Sequence, residues 1–177
     1  MSYFLSMPNQ VYQDLRTHLT DGKEEDSAFI YTKVNMYGDK CQLEFIDWDP
    51  ITDKDYQSRS AFHLWLSDEM RAHVIKRAHD LDAALVEFHS HPGDEPARFS
   101  SSDFSGFSEF VPHVLWRLPE RPYSAVVFTD TNFDGLVWLT DEEHPIQLSG
   151  ISVEEQILEP TTLSLKDYYN YDYPRLQ

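Results

Sequence analysis

The spacing of apolar side chains along the chain predicts three helices separated by strands. Apolar residues recur every three or four positions, as on one face of a helix, over 9–19, 67–80 and 103–115. Runs rich in β-branched and aromatic residues predict strands over 28–34, 41–48, 61–66, 83–88, 123–128 and 133–139, with a weaker one over 146–153. The polar residues 51–60 are expected to form a loop. Helices interspersed with strands, some joined by hairpins, favour an α/β fold in the loose sense, or α+β, in which helices cover a mixed sheet.

The length of 177 residues is that of one domain. We expect this domain over 1–160, followed by an acidic, tyrosine-rich tail over 161–177. The tail is too short to fold alone, so it either packs on the domain or contacts a partner. Residues 1–10 lack the basic segment and the long apolar core of a secretory signal, and no uncharged apolar run reaches the roughly 18–20 residues that span a bilayer. We therefore expect a cytoplasmic protein without a membrane partner.

The charge of the chain narrows its possible partners. Aspartate and glutamate number 31 against 14 lysines and arginines, which gives a formal net charge of −17. A surface this negative repels phosphate backbones, so we expect no nucleic-acid partner. Cys41 is the only cysteine, which excludes an intramolecular disulfide and a zinc cluster made of thiolates.

Two histidines that follow the 83–88 strand carry the clearest chemical signal. His89 and His91 are two residues apart, so in an extended chain their side chains point to the same side. Asp103, at the head of the next helix, is well placed to supply a third ligand to the same metal ion. Two imidazoles and one carboxylate leave a fourth tetrahedral position open, which is typical of a catalytic zinc site rather than a structural one.

Ser100 and Asp103 also have a purely structural interpretation. Ser-x-x-Asp at a helix start resembles a capping box, which accounts for both residues without a metal ion. The two histidines have no comparable structural reason to follow a buried strand. The other histidines show no ligand spacing and are interpreted as surface or packing residues: His18, His63, His73, His79, His113 and His144.

His89-Ser90-His91-Pro92, followed by Ser100-x-x-Asp103, resembles the signature of the JAMM (MPN-plus, Mov34/JAB-type) zinc metallopeptidases. The resemblance implies the fold of that family over about residues 10–140, a cytidine-deaminase-like curved mixed sheet flanked by helices. It also implies that His89, His91 and Asp103 are the ligands of a Zn²⁺ ion. The Ser100 hydroxyl would stabilise the oxyanion that forms on the substrate carbonyl.

The catalytic base of this family is a glutamate just before the first strand. Glu25 fits that position, because Ala28 opens the apolar run three residues later, and Glu24 is the second choice. If neither is the base, these residues are a solvated charged turn.

The spacing to the third ligand departs from the family pattern. Eleven residues lie between His91 and Asp103, where the family usually has ten. The extra residue falls in the loop 93–99, which can absorb it. Asp94 and Glu95 are alternative ligands, but they lie so close to His91 that ligation would strain the turn, and we prefer Asp103.

The resemblance also implies a class of substrate. Most known members of the family remove ubiquitin or ubiquitin-like proteins from lysine, and this compact chain is similar to bacterial members encoded beside such modifiers and their activating and conjugating enzymes. We expect an isopeptidase or peptidase that hydrolyses the bond after the C-terminal tail of a ubiquitin-like protein, in a bacterial conjugation system of the antiviral-defence type. Residues 49–60 are a candidate flap over that tail. The alternatives are a peptidase acting on a sulfur-carrier protein or small peptide, and a non-catalytic MPN scaffold.

Overall fold

A computed structural model describes residues 1–59, 64–140 and 144–172. Its strands and helices, in chain order, are β1 (Ser2–Met7), α1 (Asn9–Thr20), β2 (Ser27–Tyr37), β3 (Lys40–Pro50), β4 (Tyr56–Arg59), β5 (Leu64–Leu66), α2 (Asp68–Asp80), β6 (Ala84–Ser90), α3 (Ser101–Arg117), β7 (Tyr123–Phe128), β8 (Phe133–Trp138), β9 (Ile146–Gln147), β10 (Gly150–Val153), β11 (Gln156–Leu158) and α4 (Ser164–Asp172).

Nine of these strands form one strongly curled mixed sheet, in the order β11-β10-β1-β3-β2-β6-β7-β8-β9. β6 lies inside the sheet, antiparallel to β2 and parallel to β7. β4 and β5 form a separate two-stranded sheet. The expected mixed α+β fold with helices flanking the sheet is therefore confirmed. In the described part of the chain, every helix is too short or too polar to cross a membrane.

Side chains of β6 alternate between two apolar clusters, one on each face of the sheet. Val86 and Phe88 belong to the cluster that includes Leu15 and Leu19 of α1. Leu85 belongs to the other cluster, which contains the apolar faces of α2 and α3. Because alternate residues of a strand share a face, the odd-numbered residues of β6 point toward α2 and α3. This alternation sends His89 to the face that α3 covers.

The three predicted helices are present, and α3 begins at Ser101, two residues before the predicted start. The prediction of a loop over 51–60 is wrong, because a 3₁₀ turn at Asp53–Asp55 leads into β4, which pairs with β5. The predicted strand over 61–66 is present as β5, and residues 60–63 lie outside the described residues. The weak strand over 146–153 is two strands, β9 and β10. The sequence patterns missed β1, β11 and α4.

The C-terminal tail, as far as residue 172, packs on the rest of the chain. Leu165, Tyr168 and Tyr171 of α4 contact the cluster beneath α3. The rings of Tyr168 and Tyr171 both lie 5.5 Å from the ring of Phe104, measured between centroids. Of the two expectations for the tail, packing on the domain is therefore the one seen. Tyr173, which belongs to the same tyrosine-rich segment, lies outside the described residues.

Asp134 of β8 joins this tail to the sheet. It is 0% exposed, and its carboxylate accepts hydrogen bonds from the backbone N–H groups of Thr162 (3.2 Å) and Ser164 (2.7 Å). The Ser164 hydroxyl in turn accepts a hydrogen bond of 3.0 Å from the N–H of Phe99. Since Phe99 directly precedes Ser100, Asp134 helps to fix the loop that leads into α3.

Asp134→Ala is expected to lower the free energy of unfolding by about 2–4 kcal/mol, because it leaves buried donors without an acceptor. Asp134→Asn keeps one carbonyl acceptor and should lose less. Urea denaturation followed by circular dichroism measures both changes. Asp130→Ala, an exposed position in the turn before β8, is the control and should change stability by no more than about 0.5 kcal/mol. An equal loss of unfolding free energy in Asp130→Ala and Asp134→Ala would contradict the role given to Asp134.

Candidate metal centre

The pairing of β2 with β6 sets one side of the site. In this antiparallel ladder Ser27 lies opposite His89. Moving two residues along each strand places Glu25 opposite His91, on the same face of the sheet. The ladder's edge is held by a hydrogen bond of 2.9 Å from the Ser90 N–H to the Asp26 carbonyl. The register of two strands therefore brings an acidic side chain to the histidine pair.

The N-terminus of α3 brings Asp103 to the same place. The Ser100 hydroxyl accepts a hydrogen bond of 3.2 Å from the Asp103 N–H, and Asp103 Oδ2 accepts one of 2.7 Å from the Ser100 N–H. The Ser100 hydroxyl also donates to Asp103 Oδ2 at 2.9 Å. The capping box expected from the sequence is thus formed. It does not compete with a metal site, because it fixes the Asp103 carboxylate in front of the two histidines.

Three side chains form a triangle of possible metal ligands. His89 Nε2 lies 3.2 Å from His91 Nε2 and 3.3 Å from Asp103 Oδ1, and His91 Nε2 lies 3.2 Å from Asp103 Oδ2. Tetrahedral zinc with ligand bonds of about 2.0–2.1 Å holds its ligand atoms about 3.3 Å apart. The donor set and its spacing therefore fit one divalent metal ion, as the sequence predicted for these three residues.

The alternative ligands lie elsewhere. Asp94 and Glu95 are exposed, and within the described ranges neither belongs to the cluster of ligand atoms. Both belong to the loop between β6 and α3. Its Gly93 adopts a positive φ of 114°, a conformation that side chains rarely tolerate, and the Gly93 carbonyl accepts a hydrogen bond of 2.9 Å from Asp130 N–H.

The electrostatics of the triangle favour a cation between the three side chains. Burial opposes the charged form of His89, but Asp103, Glu87 and Glu25 outweigh it and raise the pKa of His89 to about 9. Burial also opposes ionisation of Asp103, yet His89 and His91 hold its pKa well below the usual value. The Asp103 carboxylate is thus held in its ionised form and stabilises positive charge at this point.

Glu25, rather than Glu24, is the acid that reaches the triangle. Glu25 is only 6% exposed, and its Oε1 lies 3.7 Å from His91 Nε2. Glu24 is exposed to solvent. The structure therefore places the first of the two sequence candidates next to the histidine pair.

Glu87 is a part of the site that the sequence interpretation missed. Its carboxylate accepts a short hydrogen bond from the Tyr123 hydroxyl, and its Oε1 lies 3.9 Å from Nδ1 of His89. Burial raises the pKa of Glu87 above its usual value, and burial together with Glu87 raises the pKa of Tyr123. A carboxylate behind a ligand histidine orients its ring. The available signal was the odd-numbered series 87, 89 and 91, in which an acid interrupts an apolar strand.

A pocket of about 80 Å³ opens beside the triangle. Its walls come from β5, α2, β6 and α3, and they include Trp65, Arg71, Glu87, Ser102 and Phe110. Among the described residues that line it, none comes from 49–58, the greater part of the segment expected to be a flap. Trp65 and Leu66 of β5 are the lining residues that lie nearest to this segment in the sequence. The arrangement as a whole is a group of three possible metal ligands beside a small cavity that Glu25 and Glu87 also line.

Comparison with known proteins is consistent with this geometry. The family model described as prokaryotic homologs of the JAB domain matches residues 8–137. The matched span contains every residue of the triangle, together with Glu25 and Ser100. No curated protein matches the chain significantly. Because the family model covers more than half of the sequence, the chain belongs to the prokaryotic homologs of the JAB domain.

Proposed function

We propose that this JAB-family chain is a zinc-dependent peptidase of the JAMM type that hydrolyses the isopeptide or peptide bond after the C-terminal tail of a ubiquitin-like protein. The observation that carries the proposal is the triangle of His89, His91 and Asp103 with the Glu25 carboxylate beside it. Three protein ligands leave one tetrahedral position open, as catalytic zinc requires. A purely structural zinc site would need a fourth protein ligand.

A zinc ion at the triangle would polarise a substrate carbonyl and lower the pKa of a water molecule to about 7. Glu25 is the general base: its buried carboxylate takes the proton from the attacking water and delivers it to the leaving amine. Its position opposite His91, 3.7 Å from Nε2, supports this role. Glu87, which accepts the Tyr123 hydroxyl and lies 3.9 Å from Nδ1 of His89, is proposed to orient the His89 ring.

Ser100 is proposed to stabilise the oxyanion with its hydroxyl. The hydroxyl has one proton, which it gives to Asp103 Oδ2 in the structure. Oxyanion stabilisation therefore requires the hydroxyl to rotate from Asp103 to the substrate, while its oxygen can still cap α3. The two roles of Ser100 are separable by mutation, because they depend on different atoms.

The substrate tail is proposed to lie along β5. In the described part of the sheet β5 pairs only with β4, so its other edge can accept an extended peptide as an added strand. Trp65 and Leu66 of β5 also line the pocket beside the triangle. The net charge of −17 suits a partner with a basic surface. We place this reaction in the cytoplasm, in a bacterial ubiquitin-like conjugation pathway with a role in antiviral defence.

Zinc loading tests the triangle directly. Wild-type protein incubated with Zn²⁺ and then desalted should retain one zinc ion per chain, measured by mass spectrometry of the metal. His89→Ala and Asp103→Ala should each lose most of it. His113→Ala, on the exposed side of the helix that carries Asp103, is the control and should retain it. Full zinc content in His89→Ala would contradict the ligand assignment.

Glu25→Gln should reduce turnover by about 10²–10⁴-fold, since the amide cannot accept the proton of water. The measurement is hydrolysis, by zinc-loaded protein, of a fluorogenic peptide that carries a Gly-Gly tail on a lysine side chain. Zinc content should remain that of the wild type. The same change at exposed Glu24 is the matched comparison and should leave turnover within about twofold. Loss of activity in Glu24→Gln and not in Glu25→Gln would make Glu24 the general base instead of Glu25.

Ser100→Gly and Ser100→Thr separate capping from catalysis. Glycine is tolerated as an N-cap at a cost of a few tenths of a kcal/mol but has no hydroxyl, whereas threonine keeps both features. We expect Ser100→Gly to lower kcat about 10²–10³-fold and Ser100→Thr to retain most of it. Thermal unfolding should show little change for either variant. Wild-type kcat in the glycine variant would restrict Ser100 to its capping role.

A further inference from the structure

Arg71, near the start of α2, is a partly buried cation whose guanidinium group has no oxygen partner in the described part of the chain. It is held between two aromatic rings instead, 5.2 Å from the ring centroid of Trp65 and 5.6 Å from that of Phe110. Other partly buried arginines bind oxygen atoms of the protein, as shown by the pairs Arg16–Asp130, Arg77–Asp49 and Arg121–Asp82.

Arg71 lines the 80 Å³ pocket that His89 and Asp103 also line. The charge of Arg71 acts on Glu87, where it opposes the rise in the pKa of that carboxyl, but no hydrogen bond joins the two side chains. Asp103 faces the two histidines, and Glu87 accepts the Tyr123 hydroxyl and lies near His89. Glu25 faces His91. Among the residues that the structure describes, Arg71 is therefore a positive charge beside the triangle whose guanidinium N–H groups make no hydrogen bond.

We propose that Arg71 binds a carboxylate group of the substrate next to the scissile bond. This inference rests on the proposed hydrolysis and specifies its substrate class. A guanidinium binds a carboxylate through two parallel hydrogen bonds, and contact with the two rings restricts the freedom of the Arg71 side chain before the substrate binds. The pocket of about 80 Å³ has room for a group the size of a carboxylate.

A substrate carboxylate can come from two sources. It is the free C-terminal carboxylate when the enzyme releases the last residue or residues of a chain. It is the side chain of aspartate or glutamate when the bond lies within a longer acidic segment. Both sources present the same planar anion to Arg71. They differ in which peptides we expect to be cleaved faster: those with a free C-terminus, or those with an acidic side chain near the bond.

The test uses a library of acetylated hexapeptides with Gly-Gly at the centre and mixed residues elsewhere. One half of the library ends in a free carboxylate and the other in an amide. Zinc-loaded wild-type protein is compared with Arg71→Met, Arg71→Lys and Arg117→Met, and cleavage rates are read by mass spectrometry. Arg117, at the end of α3, also lies over an aromatic ring, at 5.4 Å from the Trp116 centroid, and is absent from the pocket lining, so it is the matched control.

We expect wild-type protein to cleave carboxylate-bearing peptides about tenfold or more faster than their neutral counterparts. A preference for acid over amide termini identifies the C-terminal carboxylate. A preference for Asp or Glu over Asn or Gln at one position identifies a side chain. Arg71→Met should lower the preference at least about tenfold, since charged hydrogen bonds of this kind contribute about that factor or more. Arg71→Lys keeps the charge without the planar guanidinium, so its preference for carboxylate-bearing peptides should lie between those of the wild type and Arg71→Met. The preference of Arg117→Met should match that of the wild type.

Three results would overturn the proposal: no preference in the wild type, an unchanged preference in folded Arg71→Met or Arg71→Lys, or an equal loss for charged and neutral peptides. The last result would make Arg71 a ligand of the peptide backbone. If the wild type cleaves no peptide, the proposed hydrolysis fails. Calorimetric binding of the acid and amide peptides then decides the carboxylate site on its own, through the ratio of their Kd values in wild type and Arg71→Lys.

Discussion

The register between β2 and β6 is the constraint on which the site depends. It places Ser27 opposite His89, and with it the acid at residue 25 opposite His91. A shift of one residue would turn the side chains of β2 to the other face of the sheet. Such a shift would also move Phe29 and Tyr31, which are fully buried on the α2–α3 side, out of their apolar cluster and into the cluster on the opposite face. The apolar packing of Phe29 and Tyr31 on the α2–α3 side therefore fixes the register, and the register in turn fixes the position of Glu25.

The chemistry of the triangle was predictable because it is local in sequence. His89 and His91 are related by the period of a strand, and Asp103 follows a capping serine, so each signal lies within a few residues. Glu87 was accessible by the same alternation and was overlooked because it stands inside an apolar run. Arg71 could not be predicted, since its importance comes from rings on β5 and α3 that only tertiary structure brings around it.

The long helices of the fold were predictable from the sequence, and several short strands were not. Helices with a clear apolar face were located within two residues, because their periodicity spans several turns. β1 was missed although Tyr3, Leu5 and Met7 alternate as in a strand, and it became evident only through parallel pairing with β3 and β10. β4 contains mostly polar residues, and its pairing with β5 is what makes it a strand. Short elements of this kind are stabilised by their partners more than by their own sequence.

The same carboxylates that make this site suitable for a metal ion make it costly without one. Asp103, Glu25 and Glu87 converge on two imidazoles in a buried space, and each would be unfavourable there as an isolated charge. Burial opposes positive charge on His89, but the three acids raise the pKa of His89 to about 9, and its positive charge compensates theirs in part. A divalent ion held at the triangle would compensate more fully, and because it would bind only the folded chain, its binding free energy would also stabilise the fold. The charges that suit the site to a metal ion therefore also affect the stability of the fold where β6 meets α3.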